Sequence, residues 1–399
     1  MAGGQRLMET SAAESALEPV YVCSRCGTRF SAETAIWRCS KCGGVLTGWP
    51  AVAFSERDVD ERETGLWRYA RALPPLPAPE RVRLGEVMTP LVHSESLAAM
   101  LKVDYLLPSG SYKDRGSAVL VSRLRHLGIR QALEDSSGNA GSSIAAYSAA
   151  AGISCEVFIP AGNSPDKLAQ IRAYGATLRP IDGDRAAVAR AALGAAETRF
   201  YASHNWHPDF HAGVSTLGFE IWEQFGRRAP EAVVVPVGHG SLVLGLHRAF
   251  ESLALGGAVS RAPRIFAVQA DAYSSVARAW AEHEDEPAPV QEPGGTIAEG
   301  IATRLPLRGR EVLDALRDSG GTALSVSEEE IRQALVKLLR LGFYVEPTAA
   351  VGVAGLGLLR SRGEIPREAS RVVVVLTGNG LKAGRRIAEV VETEWEVQR

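Results

Sequence analysis

Lysine is scarce in this 399-residue chain: Lys41, Lys102, Lys113, Lys167, Lys337 and Lys382 are the only six among 44 basic residues. Chemistry that requires a primary amine therefore has few candidates. Charge of one sign is also lacking. The formal net charge is -2 and no segment concentrates lysine and arginine, so neither a nucleic-acid backbone nor an anionic membrane is an expected partner. No apolar run approaches the roughly 20 residues that a spanning helix needs, and the opening MAGGQRLMETSAAESALEP lacks the apolar core of a signal peptide. The expected location is cytoplasmic. Cysteine is sparse as well, five in all, which excludes a disulfide scaffold for a chain of this length.

Four of those cysteines nevertheless fall in one window, CSRCGTRFSAETAIWRCSKCGG. Cys23, Cys26, Cys39 and Cys42 form two C-x2-C pairs, a spacing that turns both sulfurs of a pair towards one tetrahedral ion. Gly27 and Gly43 follow the second cysteine of each pair and suit the knuckle turn. Two disulfides are the alternative. Four thiolates leave no open coordination position, so the expected zinc is structural and folds a module too small for its own core. We assign residues 1–50 to an N-terminal arm and this zinc ribbon. The proline-rich LPPLPAPE, residues 73–80, then reads as an extended surface connection, and MTPLVHSESLA as a turn and short helix.

With 46% hydrophobic residues, the remainder is long enough for two domains with real cores. Helical periodicity alternates with short β-branched runs, the pattern of parallel sheet layered with helices. SAVLVSRLRHLG reads as an amphipathic helix closed by Gly128, and SSGNAGSSIAAYSAAAG as a polar turn and a helix closed by Gly152. SCEVFIP is a strand in which Cys155 is a core residue, and in SPDKLAQIRAYGA the serine before proline caps a helix. AVVVPVG and RVVVVLTG are apolar on both faces, as buried parallel strands are.

Glycine-rich turns stand at the element junctions: SSGNAG (136–141), VGHGSL (237–242) and LTGNGLK (376–382). Loops at the carboxyl ends of parallel strands gather where ligands bind, and VGHGSL leads into a helix whose N-terminus suits a phosphate. As a dinucleotide fingerprint it is incomplete, because Val243 occupies the third glycine position. Lys113 sits in PSGSYKDRG, another turn of this kind.

Taken in order, PSGSYKDRG, SSGNAG, PVGHGSL, VEPTAA and LTGNGLK resemble the threonine synthase family of fold-type II enzymes dependent on pyridoxal 5'-phosphate. The resemblance runs from about residue 86 to the end. It implies a tryptophan synthase β-like α/β fold: a large cofactor-binding domain of residues 51–124 and 214–399, a small α/β domain of residues 125–213, and the cofactor in the cleft between them. Lys113 would hold the cofactor as a Schiff base, which a partly desolvated and so more readily neutral amine favours. Asn139 would bond the phenolic oxygen. Gly238, His239, Gly240, Ser241 and Leu242 would cradle the phosphate, and Thr377 would meet the pyridine nitrogen. Ser136, Ser137 and Ala140 would hold the carboxylate of a small amino-acid substrate. A hydroxyl at the ring nitrogen suits elimination and replacement more than transamination. The resemblance also implies a homodimer, and it leaves Lys382 as a rival amine that the family does not use for the cofactor.

The best single activity is then threonine synthase, converting O-phosphohomoserine and water to threonine and phosphate. Some residues depart from that pattern. Phe210 stands where the family has an arginine that grips the substrate phosphate, and Ala212 where glutamate is common. A phenyl ring cannot supply bidentate phosphate recognition. His204, His207 and His211 crowd the same stretch; they either replace the missing cation when protonated or, as expected for at least two of them, face solvent. Tyr112 and His239 are further departures, and TIAEGIA (296–302), with Glu299, resembles the serine and threonine dehydratases. A dehydratase or β-replacement enzyme is therefore the alternative activity, and a non-catalytic binding protein on the same fold the alternative class.

Overall fold

The computed structural model describes residues 20–48, 50–163 and 165–397. It begins with a three-stranded antiparallel sheet, β1 (Val20–Cys23), β2 (Arg29–Ser31) and β3 (Leu46–Thr47), with β1 in the middle. Gly27 and Gly43 both adopt left-handed φ values, +68° and +69°, as the knuckle turns require. The stretch read as a turn and short helix contains no helix. It forms β4 (Leu91–Ser94), which pairs antiparallel with β5 (Ala99–Val103). A strand whose hydrogen-bond partner lies further along the chain overrides local propensity here.

The chain then alternates through α1 (Lys113–His126), β6 (Gln131–Glu134), α2 (Asn139–Ala151), β7 (Ser154–Pro160), α3 (Pro165–Ala173), β8 (Thr177–Ile181), α4 (Arg185–Ala195) and β9 (Phe200–Tyr201). The four strands form a parallel sheet in the order β8-β7-β6-β9. Helices α5 (Pro208–Val214) and α6 (Thr216–Gln224) lead into β10 (Ala232–Pro236), α7 (Ser241–Leu255), β11 (Arg264–Ala270), α8 (Ser275–Ala281), α9 (Gly309–Ser319), β12 (Thr322–Val326), α10 (Glu328–Arg340), α11 (Pro347–Ser361), β13 (Val372–Leu376) and α12 (Gly384–Val397). The second sheet has six strands in the order β12-β11-β10-β13-β5-β4, parallel except at the β4 edge.

The doubly apolar runs are central strands: every residue of β10 and of β13 is buried, as helices on both faces demand. Cys155 is buried in β7 as expected. Gly152 closes α2 in the left-handed conformation. The proposed serine cap of α3 lies outside the described residues. The connection at 73–80 is only partly on the surface, because Leu73 and Leu76 are buried.

Helix α1 departs from the amphipathic reading. It starts at Lys113, and every residue from Asp114 to Leu124 is buried, because it packs against both α2 and α5. Arg115 at its start is matched by partners, whereas Nε and Nη1 of the buried Arg123 make no hydrogen bond. Arg115 donates to Asp104 at 2.8 Å and to Glu220 at 2.7 Å, and Lys102 donates to Glu220 at 2.6 Å. Two cations and two carboxylates thus neutralise one another in the interior, where an unpaired charge is expensive.

Candidate active site

Three loops meet at the carboxyl ends of the strands and are tied by backbone hydrogen bonds. Asn379 N–H donates to Gly110 O at 2.9 Å, Tyr112 N–H to Thr377 O at 3.0 Å, and Glu346 N–H to Gly378 O at 3.0 Å. Segments at 110–112, 345–346 and 377–380 therefore hold one another in register. Asp114 locks the first of them, accepting from the Ser109 N–H at 2.6 Å and from the hydroxyls of Ser109 at 2.5 Å and Ser143 at 2.6 Å.

Lys113 begins α1 on this framework. Its Nζ lies 4.8 Å from the Tyr112 ring centroid and 5.6 Å from that of Phe210, and no carboxylate among the described residues is in ion-pair contact with it. The Tyr112 hydroxyl reaches across to Ser241 Oγ at 3.0 Å. That bond joins the lysine turn to the first residue of α7, directly after the glycine turn that follows β10. Gly240 has φ +88°, and a Cβ there would fall 2.2 Å from Val312 Cγ2, so only glycine allows this turn. No side chain caps α7. Its first N–H groups and positive dipole end are thus available to an anion.

Asn139 opens α2 on the facing wall. Its Nδ2 donates to both oxygens of Glu346, at 2.9 and 3.1 Å, and its Oδ1 accepts from Lys382 Nζ at 3.0 Å. Thr377, buried, donates to Glu346 Oε1 at 3.4 Å. Gly378 makes room for this carboxyl, since a Cβ there would fall 2.2 Å from it. Burial pushes the Glu346 carboxyl up and the Lys382 ammonium down, while Asn139 stabilises the carboxylate and the charges of Glu346 and Lys382 support each other. Glu346 received no role from the sequence, although it stands in VEPTAA immediately before the proline that starts α11. Lys382 is brought into the site as a partner of Asn139.

Ser136 and Ser137 lie partly open beside Asn139, and Ala140 is buried; Ser136 Oγ accepts from the Gly138 N–H at 3.2 Å. Glu299 is 51% exposed and pairs with Arg386 at 3.7 Å.

The expectation that at least two of the three histidines face solvent is overturned. His204, His207 and His211 are all buried, because α5 is clamped between α1 and the N-terminal sheet. Tyr21 donates to Asp209 at 2.7 Å, and its ring meets His207 edge-on at 5.7 Å. Arg308 donates to Leu46 O at 2.8 Å and to Trp206 O at 2.7 Å. Phe210 is 0% exposed, and its ring fills the space over Gly116, where a Cβ would fall 2.6 Å away. Desolvation holds the His204, His207 and His211 imidazoles below their usual range, and Lys113 adds to this at His204 and His211.

The four sulfurs of Cys23, Cys26, Cys39 and Cys42 lie within 4.8 Å of one another, with contacts of 3.4, 3.5 and 3.7 Å. Sulfurs on a tetrahedral zinc ion are about 3.8 Å apart, given bonds of about 2.3 Å. None of the four is in a disulfide.

The model of the pyridoxal-phosphate dependent enzymes matches residues 82–378, a span that contains Lys113, Asn139, Ser241, Glu346 and Thr377. The chain belongs to this family. It is 34% identical over 375 residues to a threonine synthase of Methanocaldococcus jannaschii, covering 90% of this chain and 92% of that one. To a threonine synthase of Methanosarcina acetivorans it is 32% identical over 385 residues, covering 93% and 94%. Among solved structures, the processed threonine deaminase isoform 2 of Solanum lycopersicum superposes with a TM-score of 0.68 at 19% identity, over 88% of this chain and 93% of that one. Maize serine racemase superposes with a TM-score of 0.66 at 20% identity, over 78% and 94%. These two likenesses establish the shared fold-type II architecture.

The chain is thus a lyase that uses pyridoxal 5'-phosphate, and the residues present fit that group. The uncapped start of α7 offers N–H donors for a phosphate, Lys113 offers an amine without a carboxylate partner, and Thr377 and Asn139 offer polar groups on the facing wall. When bound, the cofactor supplies an electron sink for the bond broken at the substrate α-carbon.

Proposed function

We propose that the chain is a threonine synthase, converting O-phosphohomoserine and water to threonine and phosphate. The observation that carries this reading is the match to threonine synthases across 90% of the chain, together with the convergence of Lys113, Asn139, Ser241 and Thr377 on one space. In this reading Lys113 Nζ takes the α-proton and returns it. Ser136, Ser137 and the amide of Ala140 orient the substrate carboxylate. The start of α7 and Ser241 hold the cofactor phosphate, Asn139 and Thr377 hold the ring, and Phe210 excludes water from one side of the amine.

Phe210 favours a second reading, a dehydratase or β-replacement enzyme. A buried phenyl ring lies 5.6 Å from the lysine amine at the position where the family's arginine grips phosphate, and a guanidinium fork has no substitute in a hydrocarbon. Incubation of the loaded protein with O-phosphohomoserine, threonine, serine and O-phosphoserine, following phosphate and keto acid, separates the two. Phosphate with threonine from O-phosphohomoserine supports the first reading; keto acid from serine or threonine, with O-phosphohomoserine inert, replaces it by the second.

We further propose a structural zinc ion on Cys23, Cys26, Cys39 and Cys42, supported by the sulfur spacing. A cytoplasmic homodimer acting on a small amino acid rests on the family resemblance, and sedimentation of the holoenzyme tests the dimer.

A further inference from the structure

Tyr112 stands directly before Lys113 in the chain and is tied at both of its ends. Its N–H donates to Thr377 O at 3.0 Å, a bond that any residue but proline could make there. Its hydroxyl lies 3.0 Å from Ser241 Oγ, across 129 residues of sequence, and that bond needs the tyrosine oxygen. Phenylalanine would place the same ring without it. Tyr112 and Lys113 are both half-buried, whereas every residue from Asp114 to Leu124 is buried. The start of α1 is thus the part of this region that solvent, and so a ligand, can reach.

Ser241 begins α7, and packing from behind fixes the turn before it. A Cβ on Gly238 would meet Ile301 Cα at 3.0 Å, and one on Gly240 would meet Val312 Cγ2 at 2.2 Å. No side chain caps this helix, so its first N–H groups are left for another acceptor. The contact between the two hydroxyls uses one of their two hydrogens and leaves the other over. Neither hydroxyl is hydrogen-bonded to a carboxylate among the described residues. The Lys113 amine lies 4.8 Å from the centre of the Tyr112 ring. An amine, two hydroxyls and a helix start therefore border one space, and every one of them is a donor.

We propose that Tyr112 is a further cofactor-binding residue: its hydroxyl donates, beside that of Ser241, to the phosphate of pyridoxal 5'-phosphate. The hydrogen now shared within the pair turns to a phosphate oxygen when the cofactor binds, which exchanges a neutral hydrogen bond for charge-assisted ones. Tyr112 then holds the anionic tail while its neighbour Lys113 holds the aldehyde end. The Tyr112 backbone keeps its bond to Thr377, which holds the ring. One residue thus sets the spacing of all three anchors. This inference rests on the placement of the phosphate at the start of α7, and not on the choice between the two substrates.

The test measures binding rather than turnover. Absorbance titration of the full chain, freed of cofactor, gives dissociation constants for pyridoxal 5'-phosphate and for pyridoxal, which carries the same aldehyde without the phosphate. Parent, Tyr112→Phe and Ser241→Ala are compared. Loss of a hydrogen bond to a charged group predicts that Tyr112→Phe binds the phosphorylated form about 10- to 100-fold more weakly, with pyridoxal unchanged within about twofold. Ser241→Ala should behave in the same way. A Tyr112→Phe variant with parental affinity for the phosphorylated form, beside a weakened Ser241→Ala, overturns the proposal. So does an equal loss for both forms, which makes the tyrosine a support of the site rather than a phosphate ligand. Parental affinity in both variants removes the phosphate from the start of α7, and the placement on which the inference rests falls with it.

Discussion

Glu346, at the start of α11, accepts both of its strongest hydrogen bonds from Asn139, at 2.9 and 3.1 Å, across a sequence separation of 207 residues. One bond pair thus links the six-stranded layer to the first turn of α2 in the four-stranded layer. The Lys382 ammonium, 3.0 Å from the Asn139 oxygen, fixes which way the amide faces.

Glu346→Gln is therefore expected to release Asn139 rather than to unfold the chain. Loss of the orienting carboxylate lowers kcat by roughly a hundredfold, the cost of misplacing a reactive geometry by about 1 Å. It also shifts the pH dependence of the cofactor's absorbance. Absorbance titration of parent and variant checks this, and unchanged spectra and kcat count against it.

The interior network around Arg115 gives a stability prediction. Arg115→Met leaves Asp104 and Glu220 without their shared guanidinium partner in a fully buried setting, and breaking such a pair costs about 3–5 kcal/mol. Urea unfolding should show the loss, with Lys102→Met giving an effect in the same direction through Glu220.

The N-terminal module should act on the active site through α5. Cys39→Ser, or a chelator, is expected to release one zinc ion per chain, measured by atomic absorption. It should also weaken the Tyr21 to Asp209 bond that holds the helix of Phe210. Tyr21→Phe tests the link alone: it keeps the metal and lowers kcat, since Asp209 loses a buried donor.

The buried histidines should make part of the fold's stability sensitive to acid. His204, His207 and His211 are neutral in the folded state with depressed values. Their contribution is present above the unfolded histidine value of about 6.5 and is lost as pH falls below it, by up to about 1.4 kcal/mol per pH unit for each. Glu134 works in the opposite sense. Its raised carboxyl contributes stability below the unfolded value, and that contribution is lost as pH rises towards about 8. Asp114, Asp135 and Glu346 are raised too and act in the sense of Glu134, so the histidine share is read by difference: between about pH 7.5 and 5.5 a His207→Gln variant should lose less stability than the parent.

The parts of the molecule written in contiguous residues were readable in advance. The two C-x2-C pairs, the buried strands β10 and β13, and the turn that carries Lys113 are each specified by neighbours in sequence. β4 was a local miss: it is one arm of a hairpin whose other arm, β5, supplies its hydrogen bonds. The other misses depend on distant partners. The histidines are interior because Tyr21, Arg308 and α1 cover α5, and no pattern within HNWHPDFHAG carries that information. Glu346 and Lys382 converge on Asn139 from more than 200 residues away, and only the sheet topology brings them together.

The central claim is that Lys113 is the amine that binds the cofactor. Adding pyridoxal 5'-phosphate to the purified chain, recording the visible absorbance, reducing with borohydride and mapping the fixed mass tests it directly. The account predicts a coloured protein with the label on Lys113 and a colourless, inactive Lys113→Ala variant. A parent that stays colourless, or a label on Lys382 with Lys113→Ala behaving as the parent does, would contradict it.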